Sequence, residues 1–231
     1  MTKEEFIIEC KKLGIEINDE IIDKLELYRK ELVNWNKKFN LTTILEEKEI
    51  YLKHFYDSIC LVKVEDFNNK NICDFGTGAG FPGMVLAIIF KNSKITLIES
   101  NNKKILFLNN IKDKLKLSNV TIINKRTEDY GKNNRELFDI VTCRAVSNLN
   151  IILELSISLL KVGGFFIPLK SNVENEFNES LDKSILLGYK FIERKEYNLP
   201  IEESKRTILK YKKIKKTDNR YPRNYNLIKK D

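Results

Sequence analysis

"CDFGTGAGFPG", Cys73 to Gly83, holds two overlapping glycine patterns. Gly78, Gly80 and Gly83 spell G-x-G-x-x-G, the dinucleotide-binding spacing. Gly76, Gly78 and Gly80 spell G-x-G-x-G, two residues after Asp74. Either pattern sets a tight turn between a strand and a helix, with backbone amides left free for a ligand. Asp74 separates the candidate ligands. A carboxylate beside a pyrophosphate repels it. S-adenosylmethionine has no phosphate and carries an ammonium and a sulfonium, so a nearby carboxylate favours it. Asp74 also suits a loop cap, and the two roles are compatible. Glu99, 19 residues after Gly80 at the end of "SKITLIES", suits the ribose hydroxyls of either ligand.

Outward from the loop, strand and helix patterns alternate. "NICDF" precedes the glycines, and "FPGMVLAIIF" is a helix opened by Pro82. "NKKILFLNNIKDKLKL" and "LNIILELSISLL" read as helices; "NVTIIN", "LFDIVTC" and "GGFFIPLK" read as strands. This alternation argues for a parallel sheet covered on both faces. After Ser171 one more helix is predicted. "YKFIERKEYNL" and "SKRTILKYKKI" then form an antiparallel pair across a short connection containing Pro200. Upstream, Ile22, Leu25, Leu32, Trp35 and Phe39 make an apolar stripe on a helix capped by Asn18 or Asp19. A second helix is predicted from Glu46 to Val64, and "DFNNK", Asp66 to Lys70, marks a boundary. The expected fold is α/β, a Rossmann-like class I S-adenosylmethionine-dependent methyltransferase with about seven strands. Residues 1–66 form a helical cap; residues 67–231 form the methyltransferase domain with a basic C-terminal strand and tail.

The chain has 231 residues, 42% of them hydrophobic, and no run of 18 apolar residues that would span a membrane. Its charged N-terminus does not suit a signal peptide. Cys10, Cys60, Cys73 and Cys143 form no C-x-x-C, which fits reduced thiols in a cytoplasmic protein. The net charge of +8 fits either a polyanionic partner or a lysine-rich composition. Its distribution says more: from Lys205 to Lys230 the one acid is Asp218. Lys212, Lys213, Lys215, Lys216, Arg220 and Arg223, interleaved with Tyr211 and Tyr221, suit RNA phosphates, and a solvated edge is the bland alternative. Arg144 follows the fourth strand and reaches the crevice of the glycine loop. His54, the one histidine, is more readily a packing residue than a base, and Cys143 reads as a buried thiol. No Asn/Asp-Pro-Pro-aromatic segment follows the fourth strand, which disfavours amine methylation. No Cys/His cluster suits zinc.

The sequence resembles the bacterial 16S ribosomal RNA guanine-N7 methyltransferase family, also known as glucose-inhibited division protein B. The resemblance covers most of the chain. It rests on Trp35-Asn36 with Asn40-Leu41-Thr42, on His54, Asp57 and Ser58, and on "DFGTGAGFPG". Arg126 with Glu128, Cys143 to Ala145, Lys170, and Tyr221 to Arg223 complete it. Cys143 departs from the family's serine, and the tail "NYNLIKKD" lacks its glycine-proline pattern. The resemblance implies S-adenosylmethionine contacts at Gly76 and Phe81, at Thr127 and Glu128 beside the adenine, and at Arg144. Arg144 and His54 become the catalytic candidates, with His54 shaping the active-site face, and Lys170 joins the RNA-binding set. The implied reaction is methylation of N7 of one guanosine in 16S ribosomal RNA, with that RNA or a small-subunit precursor as partner. A monomer in the cytoplasm is expected. The alternatives are a methyltransferase of the same fold acting on another RNA or a small molecule, and a non-catalytic ribosomal-RNA-binding protein. An oxidoreductase is more distant.

Overall fold

In the computed structural model, which describes residues 1–171 and 173–230, the chain opens with α1 (Lys3–Lys12) and α2 (Asp19–Asn36). Asn18 caps α2 by accepting from the amide of Ile21 at 3.0 Å. The expected second helix is not one α-helix. It comprises α3 (Glu47–Glu49), a π-helical stretch over Ile50–Tyr56, α4 (Asp57–Ile59) and a 3-10 turn over Cys60–Lys63. Six of the seven π-helical residues are buried, so packing on nearly all sides sets its pitch, not propensity.

Five apolar runs then become parallel strands: β1 (Asn71–Phe75), β2 (Lys94–Glu99), β3 (Val120–Asn124), β4 (Phe138–Arg144) and β5 (Leu160–Lys170). Between them run α5 (Gly83–Ile89), α6 (Asn102–Lys114), α7 (Thr127–Asn133) and α8 (Leu149–Ile157). After β5 come α9 (Glu174–Leu187), β6 (Tyr189–Asn198), β7 (Lys205–Lys213) and α10 (Tyr225–Ile228). Among the described residues the sheet has seven strands in the order β3-β2-β1-β4-β5-β7-β6, with β7 antiparallel to both neighbours. The order reverses between β1 and β4, and ligands of such sheets sit outside the strands' carboxyl ends at that point.

Strand β1 shows why the loop after it is placed so firmly. Ile72 faces one apolar cluster and Cys73 and Phe75 the other. The first cluster also takes Phe6, Leu25, Tyr28 and Phe55, so the N-terminal helices and the sheet share one core. All four cysteines are free and buried. Among the described residues no helix is long and apolar enough to cross a membrane.

Candidate active site

Asp74 organises the glycine loop from beneath. Its Oδ2 accepts from Thr77 Oγ1 at 2.6 Å and from the amide of Gly83 at 2.7 Å. The side chain has no exposed surface, and Oδ1 has no hydrogen-bond partner. Burial pushes its carboxyl up to about 7, against the pull of those two donors. Asp74, expected near the cofactor's cationic end, is thus sealed beneath the loop. The carboxylate shapes the loop and acts on the crevice through its field.

The glycines divide their work. A Cβ on Gly76 would meet Val146 Cγ2 at 2.7 Å, and one on Gly80 would meet the Tyr28 hydroxyl at 2.5 Å. These two let other parts of the chain approach the loop. Gly78, at φ +62°, has open space above it, with Lys104 Nζ the nearest group at 3.8 Å. Glu99 braces the same turn: Oε2 accepts from Gly78 N at 3.0 Å, and Oε1 from the amides of Ser100 and Asn101. Oε2 keeps a lone pair for a hydroxyl. Thr127 and Glu128 are buried at the start of α7, just beyond the carboxyl end of β3. An open glycine and an acid suited to a ribose, with the Asp74 carboxylate buried beneath them, fit a cationic adenosine ligand.

Phe81, expected at the cofactor, packs its ring into the fold. Its ring lies between Tyr28, stacked at 5.2 Å, and His54, stacked at 4.2 Å. The Tyr28 hydroxyl donates to Ala79 O at 2.5 Å. This column of three rings fastens the N-terminal helices to the loop. Arg144 borders the same column, 5.3 Å from the Phe81 centroid. It donates to Lys53 O at 2.6 Å, to Asp57 Oδ2 at 3.1 Å and to His54 Nδ1 at 2.9 Å. His54 Nε2 then donates to Thr42 Oγ1 at 2.9 Å. Burial and the Arg144 charge hold the imidazole down at about 3, so the ring is neutral. Its one lone pair is already taken, and it is not a general base.

Beside this node lies a cleft of about 490 Å³, lined among others by Thr42, Lys53, Arg144, Lys170, Glu176 and Arg206. Four cations face two carboxylates there, Glu176 and Asp57. Lys170 donates to Ser147 O at 2.9 Å and pairs with Glu176 at 2.7 Å. Lys53, Arg206 and Glu176 were not singled out from sequence. For Lys53 a signal existed, since it adjoins His54 on the segment that supplies Asp57.

The C-terminal basic set is mostly elsewhere. Lys212 pairs with Phe165, five residues back along β5 from Lys170, so it sits roughly 16 Å from the site's edge of the sheet. A larger cleft, of about 640 Å³, lies at that far end, lined by Lys215, Lys216 and Arg220. One predicted RNA contact, Lys213, is corrected outright; a second, Arg223, pairs within the fold and keeps 29% of its side chain exposed. Lys213 is fully buried and donates to Glu136, Ile157 O and Leu160 O. Arg223 donates through its amide, Nε and Nη2 to the buried Glu154. The tail docks on its own domain: Arg135 holds the carbonyls of Thr217, Asp218 and Tyr221, and Ile228 is buried. Lys212, Lys215, Lys216 and Arg220 remain exposed.

The family model described as "GidB: rRNA small subunit methyltransferase G" matches residues 21–208. The chain belongs to this family. Ribosomal RNA small subunit methyltransferase G of Oceanobacillus iheyensis is 42% identical over 100% of this chain and 99% of its own length. The Bacillus subtilis protein of that name is 43% identical over 96% and 95%. As a member of the rRNA small subunit methyltransferase G family, the chain is an enzyme. Solved structures agree on fold at low identity. TYW2 from M. jannaschii, in complex with AdoMet, gives a TM-score of 0.58 at 18% identity, covering 74% of this chain and 80% of that one. The [4+2]-cyclase SpnF gives 0.56 at 13%, covering 69% and 81%. One fold thus carries different chemistries, and the family match, not the fold, specifies this one.

Proposed function

We propose that this enzyme transfers a methyl group from S-adenosylmethionine to N7 of a guanosine in 16S ribosomal RNA, presented in the small subunit or its precursor. The observation that carries this reading is the match, along essentially the whole chain, to enzymes named for small-subunit ribosomal RNA. The cofactor supplies an electrophilic methyl on a sulfonium. Gly78 leaves room for it, Glu99 offers an acceptor to its ribose, and Thr127 and Glu128 border its adenine. Guanine N7 has an in-plane lone pair and no proton, so its attack needs no base. A histidine whose lone pair is occupied by Arg144 suits such a reaction. The protein's contribution is then positioning, worth several kcal/mol and up to roughly 7–11. Arg144 is held by three partners, and that rigidity serves positioning at the strand-order reversal.

The RNA meets the cleft where Lys53, Arg144, Lys170 and Arg206 outnumber the carboxylates. Lys212, Lys215, Lys216 and Arg220 form a second phosphate surface at the other end of the sheet. The test is methyl transfer from labelled S-adenosylmethionine to 16S RNA and to small subunits, followed by nucleoside analysis. The expected product is 7-methylguanosine; a different methylated nucleoside overturns the reading.

A further inference from the structure

Resting on the reading that guanine N7 is the target, the geometry points to Glu176 as the residue that recognises the target base, through the guanine's N1–H and N2 amino group. Both purines present N7 as a nucleophile, so N7 chemistry alone does not choose guanine. The choice must come from another edge. Guanine offers donors at N1 and N2 beside the O6 acceptor. Adenine offers a bare N1 acceptor there, which repels a carboxylate.

Two carboxylates line the cleft, and they differ in what they have left to give. Asp57 is 3% exposed and uses both oxygens: Oδ2 on Arg144, Oδ1 on the Tyr197 hydroxyl at 2.8 Å with Arg206 Nε 3.6 Å away. The Glu176 side chain is 28% exposed. Its Oε2 takes the amide of Leu149 at 2.8 Å and Lys170 Nζ at 2.7 Å. Among the described residues its Oε1 accepts no hydrogen bond. One oxygen is thus anchored by a helix-end amide and a lysine, and the other is free on a side chain already held in place.

The topology sets the direction. The glycine loop follows β1, and Lys170 ends β5, which lies beyond β4 on the side away from β1. A guanine whose N7 faces the loop turns its N1 and N2 edge toward the β5 side, where Glu176 and Lys170 are. Lys170 Nζ is then the donor for O6. Ile44, Ala145 and Leu169 supply apolar lining for the ring faces.

The experiment compares the full-length wild type with Glu176→Gln on RNA whose target guanosine is intact or replaced by inosine, which lacks the N2 amino group. For the wild type, kcat/KM should fall about 10- to 100-fold on inosine, the value of one hydrogen bond to a charged group. Glu176→Gln should lose a similar factor on guanosine and discriminate the two RNAs by less than about threefold. The glutamine keeps an acceptor for Leu149, and S-adenosylmethionine affinity and thermal midpoint should stay near wild type. The wild-type comparison requires no variant to fold. Equal wild-type rates on guanosine and inosine, or undiminished discrimination in Glu176→Gln, overturn the proposal while leaving N7 methylation standing. A wild-type product other than 7-methylguanosine overturns the underlying reading, and this proposal with it.

Discussion

Arg144 Nη2 lies 2.9 Å from Nδ1 of His54, and because a guanidinium can only donate, the proton of the ring is fixed on Nε2. The bond turns the histidine into a spacer between Arg144 and Thr42. It also removes the one side chain whose ordinary titration would fall in the working pH range.

With saturating cofactor, whose positive charge holds Asp74 ionised, single-turnover methyl transfer should therefore be nearly flat between about pH 6 and 8.5. His54→Ala should lower the rate, since Arg144 loses a partner, without bending that profile. A steep ascending limb in the wild type that vanishes in His54→Ala would refute the scheme.

Stability should carry the histidine's signature instead. The folded ring is held down at about 3, below its unfolded value, so its contribution is complete above about pH 6.5 and is lost as pH falls toward 3. Between pH 6.5 and 5 the wild type should lose about 1.6 kcal/mol that His54→Gln does not. Urea unfolding midpoints at the two pH values measure this. Parallel losses in both proteins would mean that the buried ring is accessible to protons in the native state.

Asp74 should show itself in cofactor affinity. Its carboxyl titrates near 7, and the ionised form attracts a cationic ligand. S-adenosylmethionine binding should thus tighten as pH rises through about 7. Asp74→Asn keeps an acceptor for Thr77 and Gly83 but should bind with no such dependence. Calorimetry at pH 6 and 8 decides; identical pH dependence in both proteins would remove Asp74 from the electrostatics.

The two kinds of C-terminal lysine should separate cleanly. Lys213→Met leaves Glu136 and two carbonyls without their ammonium and should destabilise by about 2–4 kcal/mol, with RNA affinity unchanged in the folded protein. Neutralising Lys215, Lys216 and Arg220 should leave stability alone. It should reduce the slope of RNA binding against salt by roughly 0.7–0.9 per phosphate contact. A wild-type slope in that triple variant would make the far end ordinary solvated surface.

The parallel strands were legible because both faces of each are buried, which writes them as apolar runs; β6 and β7 were legible from their length and the short break between them. The π-helical stretch was not, since "IYLKHFYDS" has the same apolar spacing in an α-helix, and its ring contacts with Phe6 and Tyr28 come from distant sequence. Lys213 reads as surface in any local window. Its burial depends on Glu136, 77 residues away, and on carbonyls at the end of α8 and the start of β5. Glu176 resembles any acid in a helix's first turn until Lys170 and Leu149 are seen beside it. The glycine loop was found at once, but which glycine faces open space depends on Val146 and Tyr28, which come from opposite sides of it in sequence.

The column of Tyr28, Phe81 and His54 limits how this enzyme can be divided or recombined. A fragment beginning at Asn71 would keep every strand and every loop glycine. It would nevertheless expose Gly80 where the Tyr28 hydroxyl now sits, and Arg144 would lose the Lys53 carbonyl, His54 and Asp57 in one cut. The helices ahead of the sheet thus form one wall of the cleft that Arg144 borders. In a chimaera they are interchangeable only with helices that return all three partners to the same arginine.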